Sequence, residues 1–157
     1  MAGDGTVTTD VMLSVDVAAP AGTTWLALTD WERQGEWMLA TDVRVTEGNG
    51  RSVGSRLAAI SGLGPIGFTD TMEITGWEPP ARCTVRHLGK LVRGTGTFHV
   101  QDRGPDRSVF IWSERLILPF GPIGKLGWPL AKPVFTAGLR YSLQRFARFA
   151  ESYVVGE

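Results

Sequence analysis

One cysteine, two histidines and no net charge set the first limits on this chain of 157 residues. Cys83 alone cannot form an internal disulfide or supply a multi-cysteine metal site. His87 and His99 are too few for a histidine-rich zinc site, so neither a metal nor a cofactor is expected. The 16 basic and 16 acidic residues balance, which removes any electrostatic case for nucleic acid or for an anionic membrane surface. No apolar run approaches the roughly 20 residues of a membrane-spanning helix. The opening MAGDGTVTTD lacks the basic and apolar regions of a secretory leader. The expectation is a soluble, cytoplasmic protein with no integral membrane segment.

Repeats are missing too. The tetrapeptide GPIG occurs at Gly64–Gly67 and again at Gly121–Gly124, but a strand pattern follows the first copy and a helix pattern the second, which excludes a duplicated unit. What the chain has in quantity is glycine (20 residues), tryptophan (6) and an ordinary 43% of hydrophobic residues. That is enough for one core, so a single domain over residues 1–157 is expected, with 1–6 disordered.

Val11, Leu13, Val15 and Val17 alternate with Asp10, Met12, Ser14 and Asp16, the period of a half-buried strand. Pro20 opens a short helix over Gly22–Thr29, and a second helical turn spans Asp30–Trp37 with Asp30 as its N-cap. From there the pattern is strand after strand: Asp42–Glu47, Gly54–Ser61, Phe68–Glu78, Cys83–Leu88, Leu91–Gln101 and Ser108–Leu118. Turn chemistry lies at nearly every break (GNGR, EPPAR, DRGPDR), which indicates an antiparallel meander. The second GPIG and WPLAKP close the run as loops. A helix over Val134–Tyr153 then places Phe135, Leu139, Ser142, Phe146, Phe149, Ala150 and Tyr153 on one stripe, with Arg140, Gln144, Arg148 and Glu151 opposite.

The opening VDVAAPAGTTWLALTDWERQGEWM, the turn WEPPARC, the strand pair GTGTFHVQDRGPDRSVFIWSERL and the aromatic C-terminal helix together resemble the START/SRPBCC superfamily, the polyketide cyclase/dehydrase-like and birch-pollen-allergen-like proteins. The resemblance covers nearly the whole chain and is structural rather than catalytic. It implies an α+β helix-grip fold: a seven-stranded, curved antiparallel sheet wrapped around a long C-terminal helix, with two short helices between strands 1 and 2. It also implies a cavity between sheet and helix for lipids, sterols, polyketides or other apolar molecules. No shared set of catalytic residues comes with it.

Strand parity nominates the lining. Phe110, Trp112, Glu114, Leu116 and Leu118 share one face of their strand. Val92, Phe98 and Val100 share a face with Gly94 and Gly96, which suits a sharply bent sheet or a closely approaching ligand. Cys83, Val85 and His87 form a third set, and Phe68, Asp70, Met72 and Ile74 a fourth. The ligand-binding candidates are Met72, Val85, Phe98, Phe110, Trp112, Phe135, Leu139, Ser142 and Phe146. Asp70, His87 and Glu114 would project into an apolar interior, which is costly unless they are paired. They are the candidates for acid–base chemistry. Two other readings stand beside that one: a His87–Glu114 hydrogen bond that fixes sheet curvature, or a β-bulge that turns one of the three outward. His99 falls on the solvent side, Cys83 reads as a small buried hydrophobe, and the arginines of the last helix read as a solvated face. Trp31, Trp37 and Met38 either pack the short helices on the sheet or roof the cavity.

Alternating strand directions place both GPIG segments at one end of the sheet, together with the two short helices. Leu63, Ile66, Phe68, Phe120, Ile123, Leu126 and Trp128 would ring a pocket mouth there, or else cap the core. Three functions are compatible with this pattern: binding or transport of an apolar small molecule, a polyketide cyclase/aromatase-like reaction using Glu114, His87 or Asp70, or a protein-interaction module with a filled cavity. The first is favoured, because fold analogy supports a pocket better than a reaction. The expected partner is an apolar small molecule, with no nucleic acid and no indicated protein partner.

Overall fold

β1, Thr8–Val17, buries Val11 and Val17 and leaves Asp10, Met12, Ser14 and Asp16 in solvent, as a two-residue period requires. The carbonyl of Pro20 accepts the Thr24 N–H to open α1, Ala21–Leu28, and a 3-10 helix follows at Trp31–Glu36. Then come β2 (Thr41–Glu47), β3 (Arg56–Leu63), β4 (Ile66–Glu78), β5 (Arg82–Leu88), β6 (Arg93–Asp102) and β7 (Ser108–Ile117), and finally α2 (Gly121–Glu151). The structure is a computed structural model describing residues 7–63, 65–90, 92–118 and 121–155. The expectations for residues 1–6, for Phe120 and for the side chain of Leu63 lie outside the described parts.

The strands form one antiparallel sheet in the order β1-β7-β6-β5-β4-β3-β2. β2 to β7 are successive neighbours, and β1 adds to the free edge of β7. The register slips between Val45 and Glu47 and between Ile74 and Gly76, and such bulges bend a sheet and increase its twist. α2 crosses the inner face and buries Ser142, Leu143, Phe146, Ala147 and Ala150. The architecture is a helix-grip.

The core is concentrated at the end where β7 begins. There Trp37, Phe110 and Phe146 are fully buried, with Phe146 edge-to-face 4.9 Å from each of the other two rings. Trp25 of α1 packs on Trp77 of β4 at 5.0 Å. Thr24 donates to Ser108 Oγ at 2.7 Å, and Ser108 in turn donates to the Ala19 carbonyl. α1 therefore sits at the end opposite the GPIG segments, contrary to its expected place. Asp30 makes no capping bond to the 3-10 helix. Its carboxylate instead accepts from the Tyr153 hydroxyl at 2.9 Å, tying the helix to the end of α2.

α2 also starts earlier than its aromatic stripe implies. It begins at Gly121 and runs through Pro129 and Pro133. A proline inside a helix removes one N–H and crowds the carbonyl four residues back. These two are four residues apart and exposed, so the carbonyls they leave unpaired face water rather than core. The second GPIG is the first turn of a helix. The first leads through a tight hairpin, in which Leu63 pairs with Ile66 and Gly62 with Gly67.

Candidate functional site

The inward side chains nearer the other end of the sheet do not meet, and between them and α2 lies a cavity of about 370 Å³. Met72, Val85, Phe98 and Trp112 line it from the sheet, and Phe135, Leu139 and Ser142 from α2. Phe110 and Phe146, expected in the same set, have their rings packed against Trp37 in the solid part of the core. They point inward as parity requires, but at the closed end. Ser142 Oγ donates to the Gly138 carbonyl and accepts the Leu39 N–H, both at 3.0 Å. It fastens α2 to the segment before β2.

One patch of the wall is charged. His87 Nδ1 lies 2.9–3.0 Å from the two carboxylate oxygens of Asp70, and Nε2 lies 2.9 Å from Glu114 Oε2. The other oxygen of Glu114 accepts the Trp112 indole N–H at 2.9 Å. The side chains of His87, Asp70 and Glu114 are 5%, 13% and 11% exposed. Burial alone would favour the neutral imidazole. The hydrogen bonds to Asp70 and Glu114, with the attraction of both charges, outweigh it and raise the pKa of His87 to about 10. At neutral pH the imidazole is protonated and donates from both nitrogens.

The strand between them makes this contact possible. His87 on β5 is opposite Gly94 on β6, and Gly96 on β6 is opposite Glu114 on β7. With no side chain on β6, an imidazole and a carboxylate two strands apart reach over it. A Cβ on Gly96 would lie 2.8 Å from both oxygens of Glu114. At Gly94, where φ is +118°, it would lie 2.0 Å from the Arg115 carbonyl. The two glycines that parity placed inside are the gap through which the triad closes. Of the two quieter readings, the internal hydrogen bond is present. The bulge of β4, between Ile74 and Gly76, lies toward the closed end from Asp70 and leaves the parity of the three intact.

The other sequence candidates resolve as follows. Burial pushes the Cys83 thiol up to about 12, so it lines the cavity as an apolar group. His99 lies away from the cavity, beside the β4–β5 turn. Trp31 stacks on Phe98 with its indole N–H on the Gly50 carbonyl, and it lines the cavity with Met38, whereas Trp37 packs α2 onto the sheet. At the open end Phe68 faces the cavity, and Ile66 and Ile123 are exposed. Trp128 packs on Phe135 and donates to Thr9 Oγ1 at 3.0 Å, pinning α2 to β1. Missed from the sequence were Val43, Leu57, Ala59 and Ser61 on β2 and β3, and Gln34 and Leu39 before them. The alternation of Leu57, Ala59 and Ser61 carried a signal, weakened by the small side chains. Among the described residues no group of three His, Cys, Asp or Glu is arranged to hold a metal ion.

Several solved structures share this architecture. The Zhui aromatase/cyclase from Streptomyces sp. R1128 is 18% identical, with 92% of this chain and 94% of that chain covered and a TM-score of 0.75. Norcoclaurine synthase from Thalictrum flavum, in complex with dopamine and hydroxybenzaldehyde, is 17% identical, with 97% and 91% covered and a TM-score of 0.71. The di-domain ARO/CYC StfQ from the steffimycin biosynthetic pathway is 15% identical, with 92% and 51% covered and a TM-score of 0.71. At such identities the likeness shows the fold alone. No curated protein matches the sequence. The family described as polyketide cyclase / dehydrase and lipid transport matches residues 8–151, and this chain, a START/SRPBCC protein by sequence and by fold, belongs to it.

Proposed function

We propose that the protein binds a small, largely apolar molecule in this cavity, with the molecule's polar end against the carboxylates of Asp70 and Glu114. The observation that carries this reading is a void of about 370 Å³ with aromatic and aliphatic walls and a single charged patch. That volume falls in the lower part of the range ligand pockets occupy, about 300–1,000 Å³. The patch favours a hydroxyl or another hydrogen-bond donor. Both ring nitrogens of His87 are already bonded, and the remaining lone pairs belong to the carboxylates.

A second reading is supported by the same triad. A carboxylate beside a bound polyketone would remove a proton from the carbon between two carbonyls, and the electron pair would pass to a carbonyl oxygen as the enolate for ring closure. The raised pKa of His87 weighs against its acting as proton donor, since giving up its proton would break a bond to Asp70 or Glu114. Anchoring requires no such loss and is the reading adopted.

Melting the protein with and without fatty acids, sterols and aromatic polyketides tests it. Saturable stabilisation by one class is expected, reaching about 2.7 kcal/mol at a hundredfold excess over Kd, and stabilisation by none would overturn it. With a ligand in hand, loss of turnover in Glu114→Gln and His87→Ala with binding kept would establish the second reading instead.

A further inference from the structure

The charged patch of the cavity is not neutral. Both ring nitrogens of His87 are hydrogen-bonded to a carboxylate, so two protons are held among the three side chains. Wherever along those bonds each proton rests, Asp70, His87 and Glu114 together carry one net negative charge. Among the described residues no lysine or arginine lines the cavity to offset it. Arg86 and Arg115, the chain neighbours of His87 and Glu114, turn to the outer face of the sheet and pair with Glu73 and Asp10. A molecule that fills the void displaces the water solvating this charge, and a buried charge left unanswered is costly.

The acceptors of the patch are unspent as well. Two carboxylates offer about eight lone-pair sites. Among the described residues they receive three N–H groups, two from His87 and one from Trp112. The remaining polar wall supplies no further donor to them. The hydroxyls of Thr41 and Ser142 donate to the carbonyls of Leu39 and Gly138, Ser61 donates to Thr41, and the Gln34 amide donates to the Leu28 carbonyl. Around the patch the walls include the rings of Trp31, Phe98, Trp112 and Phe135, whose faces attract cations.

We infer that the ligand of this cavity is a cation: a primary or secondary amine, protonated at neutral pH, on an apolar body. The inference rests on the cavity-binding reading above and narrows it. One ammonium group supplies both things the site lacks, a positive charge and two or three N–H donors. An alcohol fills a single lone pair and leaves the charge unanswered, and a carboxylate adds a second charge of the same sign. Neutral sterols and polyketides fill the void without meeting the charge, so they should stabilise the protein less than an amine does.

Calorimetric titration of the full chain with naphthylethylamine, naphthylethanol and naphthylacetate tests this, because the three share a ring system and differ at the polar end. The amine should bind about tenfold more tightly than the alcohol, and the acid should bind most weakly. Glu114→Gln and Asp70→Asn each leave the triad neutral, and in each the amine-to-alcohol ratio of affinities should fall to about twofold or less. The two variants act at opposite nitrogens of His87, so either one suffices if the other lowers the melting temperature, and the wild-type comparison needs neither. An alcohol as tight as the amine, an acid tighter than the amine, or a ratio unchanged in both variants would overturn the amine while leaving the cavity reading intact. Binding of none of the three would overturn it too, and would take the cavity reading with it only if the sterols and polyketides also fail.

Discussion

An imidazole with a carboxylate on each nitrogen titrates unlike one in water, and His87 turns this into a measurable pH dependence. Its pKa is about 10 in the folded protein against 6.5 for the free side chain. Below pH 6.5 both folded and unfolded states hold the proton, and the stabilisation is present in full. Between 6.5 and 10 only the folded state holds it, so each rise in pH favours unfolding. The urea midpoint should therefore fall steadily between pH 6.5 and 9, and His87→Gln should remove most of that slope. A flat wild-type profile would contradict the charge state assigned to His87. The Cys83 thiol, moved from 9.0 to about 12, adds a slope of the same sign only above pH 9, so the window stays below that. At this scale the sequence was informative, because alternation alone put Asp70, His87 and Glu114 on one face. That they bond to one another depends on Gly94 and Gly96, whose place between β5 and β7 comes from sheet order.

α2 is one helix with two environments. Its second half is gripped by the sheet, with Phe146 and Ala150 fully buried, while Leu130 on the first half is 82% exposed. Truncating Phe146 to alanine should cost about 3–5 kcal/mol in urea unfolding, because the rings of Trp37 and Phe110 cannot close the gap without moving. Leu130→Glu should change stability by no more than about 0.5 kcal/mol. Similar costs for the two would mean that the first half is packed after all. The aromatic stripe made the gripped half legible in the sequence. The first half reads as loop in the sequence because Pro129 and Pro133 are strong breakers in isolation, and their tolerance depends on which side of the finished helix faces water.

For the molecule as a whole, the decisive feature is the space left between sheet and helix. Ala59 is buried on the cavity wall, opposite Asp70 in the β3–β4 ladder. Ala59→Leu should occupy part of the void and stabilise the ligand-free protein by about 0.5–2 kcal/mol, while reducing the stabilisation by any ligand found in the melting screen. A variant less stable than wild type would mean that the space is already filled by neighbouring side chains.

The sequence by itself determined the strands, the gripping helix and the three ionisable residues turned inward, because period-2 and period-3.6 alternation are local properties of a chain that must bury one face. It could not say where along those faces the side chains would touch. Phe110 and Trp112 sit two residues apart on the same face, yet one is in solid core and the other on a cavity wall. The difference is set by the curvature of the sheet and the crossing of α2, which bring Phe146 onto Phe110, whereas Trp112, packed by Trp37 and Phe98, keeps part of its ring on the cavity. Charge is distributed as unevenly as packing: α2 carries five cations and one terminal glutamate, and only Lys125 and Lys132 of these lie on its exposed first half, a division made by where the sheet grips the helix.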